Sequence, residues 1–98
     1  MPYFLLLYDV VENYVDARTP FRPQHLEMAQ AERVAGRLIL AGAFGDPPHG
    51  AAFVFHTEDA GPIEDFARRD PYVLNGVVTR WRVEPWNVVI GADSYASP

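Results

Sequence analysis

Tyr3-Phe4-Leu5-Leu6-Leu7-Tyr8-Asp9 opens the chain with an unbroken apolar and aromatic run that stops at an acid. A run this short and continuous reads as a strand over 3–9, buried on both faces. Alternation puts Phe4, Leu6 and Tyr8 on one face and Tyr3, Leu5 and Leu7 on the other. The stretch 51–56 repeats the pattern, with Phe53 and Phe55 against Ala52 and Val54. Two strands with two apolar faces need cover on both sides.

Working outward, residues 10–22 mix acids, polar residues and proline and read as a loop. Pro23 fits the first turn of a helix, where its missing N–H costs nothing. Leu26, Ala29, Ala31, Val34 and Ala35 form a stripe at helical spacing over 24–35, and Gly36 is placed to end it. A second strand covers 37–41. Residues 42–50 form a loop marked by Gly45, Asp46, Pro47 and Pro48. A second helix covers 57–69, with Pro62 limiting its start and Asp70-Pro71 ending it. A fourth strand over 77–84 alternates Val77, Thr79, Trp81 and Val83 with Val78, Arg80, Arg82 and Glu84, which suits an edge position. Residues 86–90 extend or follow it, and 91–98 read as a frayed tail of one domain spanning 1–98. The resulting order, β-α-β-β-α-β, predicts an α+β ferredoxin-like fold with an antiparallel sheet. Helices cover only one face of that sheet. The other is expected to be covered by a second copy, giving a homodimeric α+β barrel.

Charge and composition exclude several classes. A formal charge of −5 with thirteen acids argues against a nucleic-acid partner and against an anionic membrane surface. The opening apolar run lacks preceding basic residues and is too short for a signal or membrane segment, so a cytoplasmic location is expected. Cysteine is absent, which removes thiolate chemistry. All eight basic residues are arginine, which removes a lysine Schiff base and leaves guanidinium as the side-chain cation. His25, His49 and His56 lack metal-ligand spacing, and Gly42, Gly45 and Gly50 form no nucleotide fingerprint. Neither metal nor organic cofactor is therefore expected, and the partner expected is a small molecule.

Four elements in order carry a resemblance. Arg22-Pro23-Gln24-His25-Leu26 matches an R-x-x-H-L element, and Gly36-Arg37-Leu38-Ile39-Leu40-Ala41-Gly42 matches a G-x-L-hydrophobic-x-A-G strand. Asp70-Pro71-Tyr72 with Gly76-Val77, and then Glu84-Pro85-Trp86, complete the set. Together they resemble the YciI-like (YCII-related) family. The resemblance implies a dimeric ferredoxin-like fold, a pocket near the first helix, and a catalytic His–Asp pair at His25 and Asp70. One branch of the family resembles dehydrochlorinases of chlorinated ring compounds. The chain departs from the pattern at Ala43, where proline is usual, and in the length of the 10–22 segment.

His25, in the first turn of a helix, is the candidate acid–base residue. Asp70 would orient it and stabilise its charge, or alternatively serve as a turn cap before Pro71. Arg22 is the candidate clamp for a substrate carboxylate, with Arg18 the weaker one, and Phe44, Tyr72 and Trp86 are candidate pocket walls or packing residues. The leading expectation is a cofactor-independent lyase, isomerase or dehydrochlorinase-like enzyme that uses the His–Asp pair on a small, carboxylated organic molecule. The alternatives are a non-catalytic ligand-binding or regulatory dimer and a cofactor-free oxygenase. One difficulty attends the pair. With each helix antiparallel to its preceding strand and the two helices parallel to each other, His25 and Asp70 fall at opposite ends of the helical layer. Either Pro71 must turn the chain back, or the partner subunit must supply one member.

Overall fold

The computed structural model describes residues 1–91, so the expected frayed tail lies outside the described residues except for Gly91. Four strands form a single sheet: β1 (Tyr3–Val10), β2 (Leu38–Phe44), β3 (Gly50–His56) and β4 (Val78–Trp86). Their spatial order is β2-β3-β1-β4, and every neighbouring pair is antiparallel. This is the ferredoxin-like α+β arrangement. The chain's most apolar strand is central, and β4 takes the edge its half-polar pattern suits.

The two faces of the sheet differ. Phe4, Leu6, Tyr8, Phe53 and Phe55 are buried beneath the helices, where Ile63, Phe66 and Ala67 of α3 (Gly61–Arg69) complete the core. Leu5, Leu7, Ala52 and Val54 on the opposite face are only half-buried. Among the described residues no helix buries this outer apolar face.

Several boundaries differ from the sequence reading. The expected loop over 10–22 contains a short helix, α1 (Tyr14–Arg18), and a 3₁₀ turn, Thr19–Phe21, that runs directly into α2 (Arg22–Val34). Burial of Tyr14 at 3% exposure holds this segment, and periodicity cannot reveal one turn fixed by tertiary packing. Strand β2 continues through Gly42, Ala43 and Phe44 because these pair with Ala52, Ala51 and Gly50 of β3. Helix α3 starts at Gly61, not at 57. Thr57 Oγ1 donates to the Asp59 carbonyl, and Gly61 N donates to the Asp59 carboxylate, so 57–60 form a turn. Past Asp70 the chain makes one further turn, α4 (Pro71–Leu74), and β4 ends at Trp86 without extending over 87–90.

Helix direction also differs from expectation, with consequences for the site. Strands β1 and β3 are antiparallel, with Asp9 opposite Gly50 and Tyr3 opposite His56. Each helix returns against the strand before it, so α2 and α3 run in opposite directions. The start of α2 and the end of α3 therefore share the Asp9 end of the sheet.

Candidate active site

At that shared end, His25 sits in the first turn of α2 and Asp70 at the junction between α3 and α4. His25 Nδ1 lies 2.9 Å from both carboxylate oxygens of Asp70. The pair forms within one chain. Pro71 contributes, because the break before proline leaves Asp70 extended (φ −65°, ψ 124°) and ready to cap α4. Its Oδ1 accepts from Tyr72 N at 2.9 Å, and its Oδ2 accepts from the Tyr8 hydroxyl at 2.7 Å. Asp70 is fully buried, yet its oxygens are met by a backbone N–H, a phenol and an imidazole. Such a carboxylate is satisfied without contact with water.

The same contacts orient the histidine. An acceptor-only carboxylate facing Nδ1 places the proton there and leaves Nε2 with its lone pair. Nε2 has no hydrogen-bond partner among the described residues. Tyr72 stacks flat on the imidazole, with ring centroids 3.9 Å apart and planes 6° apart, and Phe53 meets it edge-on at 6.0 Å. Burial pushes the Tyr8 hydroxyl well above its ordinary range, and the Asp70 charge and hydrogen bond reinforce that shift. Tyr8 therefore stays a neutral donor to the carboxylate.

His25 forms part of the wall of a cavity of about 220 Å³ between α1, α2 and the β2–β3 hairpin. Tyr14, Arg18, Arg22, Phe53 and Tyr72 contribute to it, along with small residues of α2, β2 and β3. Among the described residues no acidic side chain lines it. Tyr72 Oη is buried and has no hydrogen-bond partner among the described residues. Burial raises its pKa, Tyr14 adds to the rise, and the Arg22 and Arg18 guanidinium groups oppose it. The Arg22 guanidinium approaches the hydroxyl oxygen as a donor and favours its ionised form, although the contact falls outside full hydrogen-bond geometry and the hydroxyl proton has no acceptor among the described residues.

Of the sequence candidates, His25, Asp70, Arg22 and Tyr72 meet at this end of the molecule. Phe44 and Trp86 do not line the cavity. The Phe44 ring folds over Gly50, filling the space a Cβ would need there, and packs edge-on against His49. Trp86 pairs with Tyr3 at the far end of β1. His56 is tied to that far end too, stacked on Tyr3 and hydrogen-bonded to the Met1 carbonyl. Among the described residues no group of three or more His, Cys, Asp or Glu side chains converges as a metal site. Tyr8 was missed as a partner of the pair. Its signal was a phenol in line with Phe4 and Leu6 on an apolar face, where a buried hydroxyl needs a partner.

The fold and the sequence both have known counterparts. The structure is similar to 5-chloro-2-hydroxyhydroquinone dehydrochlorinase from Burkholderia phenoliruptrix, solved with 2,5-dihydroxybenzoquinone. That match has a TM-score of 0.72 at 17% identity over 86% of this chain and 92% of that one. A protein from Agrobacterium tumefaciens matches with a TM-score of 0.61 at 12% identity, over 95% of this chain and 98% of that one. An antibiotic biosynthesis monooxygenase matches with a TM-score of 0.57 at 14% identity, over 91% and 99%. At these identities the likeness is one of fold. No curated protein matches the sequence. Among the described residues no helix is long and apolar enough to cross a membrane. The family profile for the YCII-related domain matches residues 1–87, and with the four sequence elements in place along a ferredoxin-like chain, the protein belongs to the YCII-related family.

Proposed function

We propose that this protein is a cofactor-independent lyase or isomerase in which His25 moves a proton on a small cyclic substrate. The observation that carries the reading is the buried His25–Asp70 pair beside a ring-sized cavity, with Nε2 unengaged. Nε2 takes a proton from a ring carbon or ring hydroxyl, and the imidazolium that forms is stabilised by the Asp70 carboxylate. The released electron pair moves into the ring. In an elimination it expels a leaving group with its bonding pair, such as chloride; in an isomerisation the proton is returned at a second atom. The dehydrochlorinase fold neighbour makes chlorinated hydroxyquinols the first substrates to try. A second copy of the chain is proposed to cover the half-buried outer face of Leu5, Leu7 and Val54. A well-folded monomer in light scattering would sink that part.

The test is chloride release and proton–deuterium exchange from a panel of chlorinated and unchlorinated hydroxyquinols, with wild type and His25→Ala. Turnover that disappears with His25 supports the reading. Ligand binding without turnover by wild type returns the protein to the binding-module alternative.

A further inference from the structure

We propose that Arg18, Arg22 and the Tyr72 hydroxyl form an anion-binding subsite within the cavity. Its ligand is a single planar ring carrying an anionic oxygen, either a carboxylate or an ionised ring hydroxyl. The inference rests on reading this cavity as the substrate site, and it adds the chemical class of what enters. Three observations carry it.

The first is charge. Thirteen acids outnumber eight arginines in the sequence, yet among the described residues the cavity wall contains two arginines and no acid. Arg37, Arg69 and Arg82 each pair with a carboxylate; Arg18 and Arg22 do not, among the described residues. Arg18 rests over the Tyr14 ring, 4.8 Å from its centroid, so one face of its guanidinium is braced while its N–H edge stays available.

The second is Tyr72 Oη. It belongs to a side chain only 1% exposed, and it has no hydrogen-bond partner among the described residues. An unmet buried hydroxyl is unfavourable, and a ligand oxygen accepting its proton would remove that cost. Tyr72, Arg18 and Arg22 line the same cavity, and both guanidinium groups oppose the rise that burial gives this hydroxyl's pKa.

The third is size and shape. The cavity of about 220 Å³ compares with the roughly 150 Å³ known to hold benzene, which leaves room for one ring and a small anionic group. Phe53 and the small side chains of Ala29, Ala41 and Ala51 provide apolar wall. A ring lying there with its oxygen in the arginine corner has its edge near His25.

Calorimetric titration with three single-ring probes tests the subsite: benzoate, its neutral isostere benzamide, and para-nitrophenolate at a pH where it is ionised. At least one anion is expected to bind about tenfold or more tighter than benzamide, as charge-assisted contacts require. Preference for benzoate assigns the carboxylate, and preference for the phenolate assigns the ring oxygen. The double variant Arg18→Gln, Arg22→Gln should abolish the preference. Tyr72→Phe keeps the ring stacked on His25 and should weaken the anions several-fold more than it weakens benzamide, because a hydrogen bond to a charged acceptor is the stronger one; it decides the matter if the double variant does not fold. Equal binding of all three probes, no binding of any, or a preference that survives in Tyr72→Phe and in the double variant overturns the subsite. Anion preference retained in a protein without proton-transfer activity would overturn only the catalytic reading, and turnover without anion preference would overturn only the subsite.

Discussion

Helix α2 has an acid–base pair at each end, and the two are built differently. Near its C-terminal end Glu32 accepts from Arg37 through Nε at 2.7 Å and Nη2 at 3.1 Å, five residues apart across the Gly36 turn. The Arg37 side chain is 43% exposed, and both members of the pair have their charge met. At the N-terminal end His25 meets Asp70 across forty-five positions, with both residues buried and only the histidine reaching the cavity wall. There the carboxylate is over-provided with donors, while the imidazole keeps one nitrogen free beside a cavity. The local pair fastens a turn. The distant pair spends three elements of the fold on holding one side chain, and that expenditure is hard to explain by stability alone.

Substitutions can break this contrast. The largest effect expected is on rate: His25→Ala should lower turnover by roughly 10²–10⁴-fold with the far-ultraviolet circular dichroism unchanged. Asp70→Ala should be the most destabilising of the set, by about 3–5 kcal/mol in urea unfolding, because it strands donors from Tyr8, Tyr72 and His25 in the interior. Tyr8→Phe should cost about 1.5–3 kcal/mol, since it removes a hydrogen bond to a charged group. Glu32→Gln should cost no more than about 1 kcal/mol and leave activity intact, because its partner is substantially in water. Equal losses from Asp70→Ala and Glu32→Gln would mean that the two pairs contribute alike to stability.

The Tyr8 hydroxyl also sharpens the contrast through pH. Its folded pKa is raised, by burial first and by Asp70 next, above the ordinary tyrosine value of about 10. Below that value both folded and unfolded states hold the proton, and the stabilisation is fully present. Above it the unfolded chain releases the proton while the folded one retains it, so stability falls as pH rises. Urea midpoints measured through and above pH of about 10 should fall more steeply for wild type than for Tyr8→Phe. Equal slopes would show that Tyr8 does not titrate differently in the two states.

Much of this architecture is written locally. The 3–9 run, the apolar face of 51–56 and the half-polar 77–84 segment identify the central and edge strands, because period-two alternation reports directly on burial. His25, Asp70, Arg22 and Tyr72 stood out in the chain by residue type and by family resemblance. For Phe44 and Trp86 the chain leaves pocket wall and packing open, because an aromatic residue can bury its surface equally well in a pocket, over a glycine or on a neighbouring strand; the structure selects packing for Phe44 and strand pairing for Trp86. Helix α1 was invisible because one turn held by Tyr14 has no period to read.

The meeting of His25 with Asp70 belongs to the tertiary structure. Strand pairing sets β1 against β3, that opposition reverses α3 relative to α2, and the reversal brings two helix ends together at one end of the sheet. Residue types and periodicity belong to the chain, since burial and backbone preference act over a few residues. The direction in which a distant helix returns is settled only when the sheet closes, and so are the partners it brings to a side chain forty-five residues away.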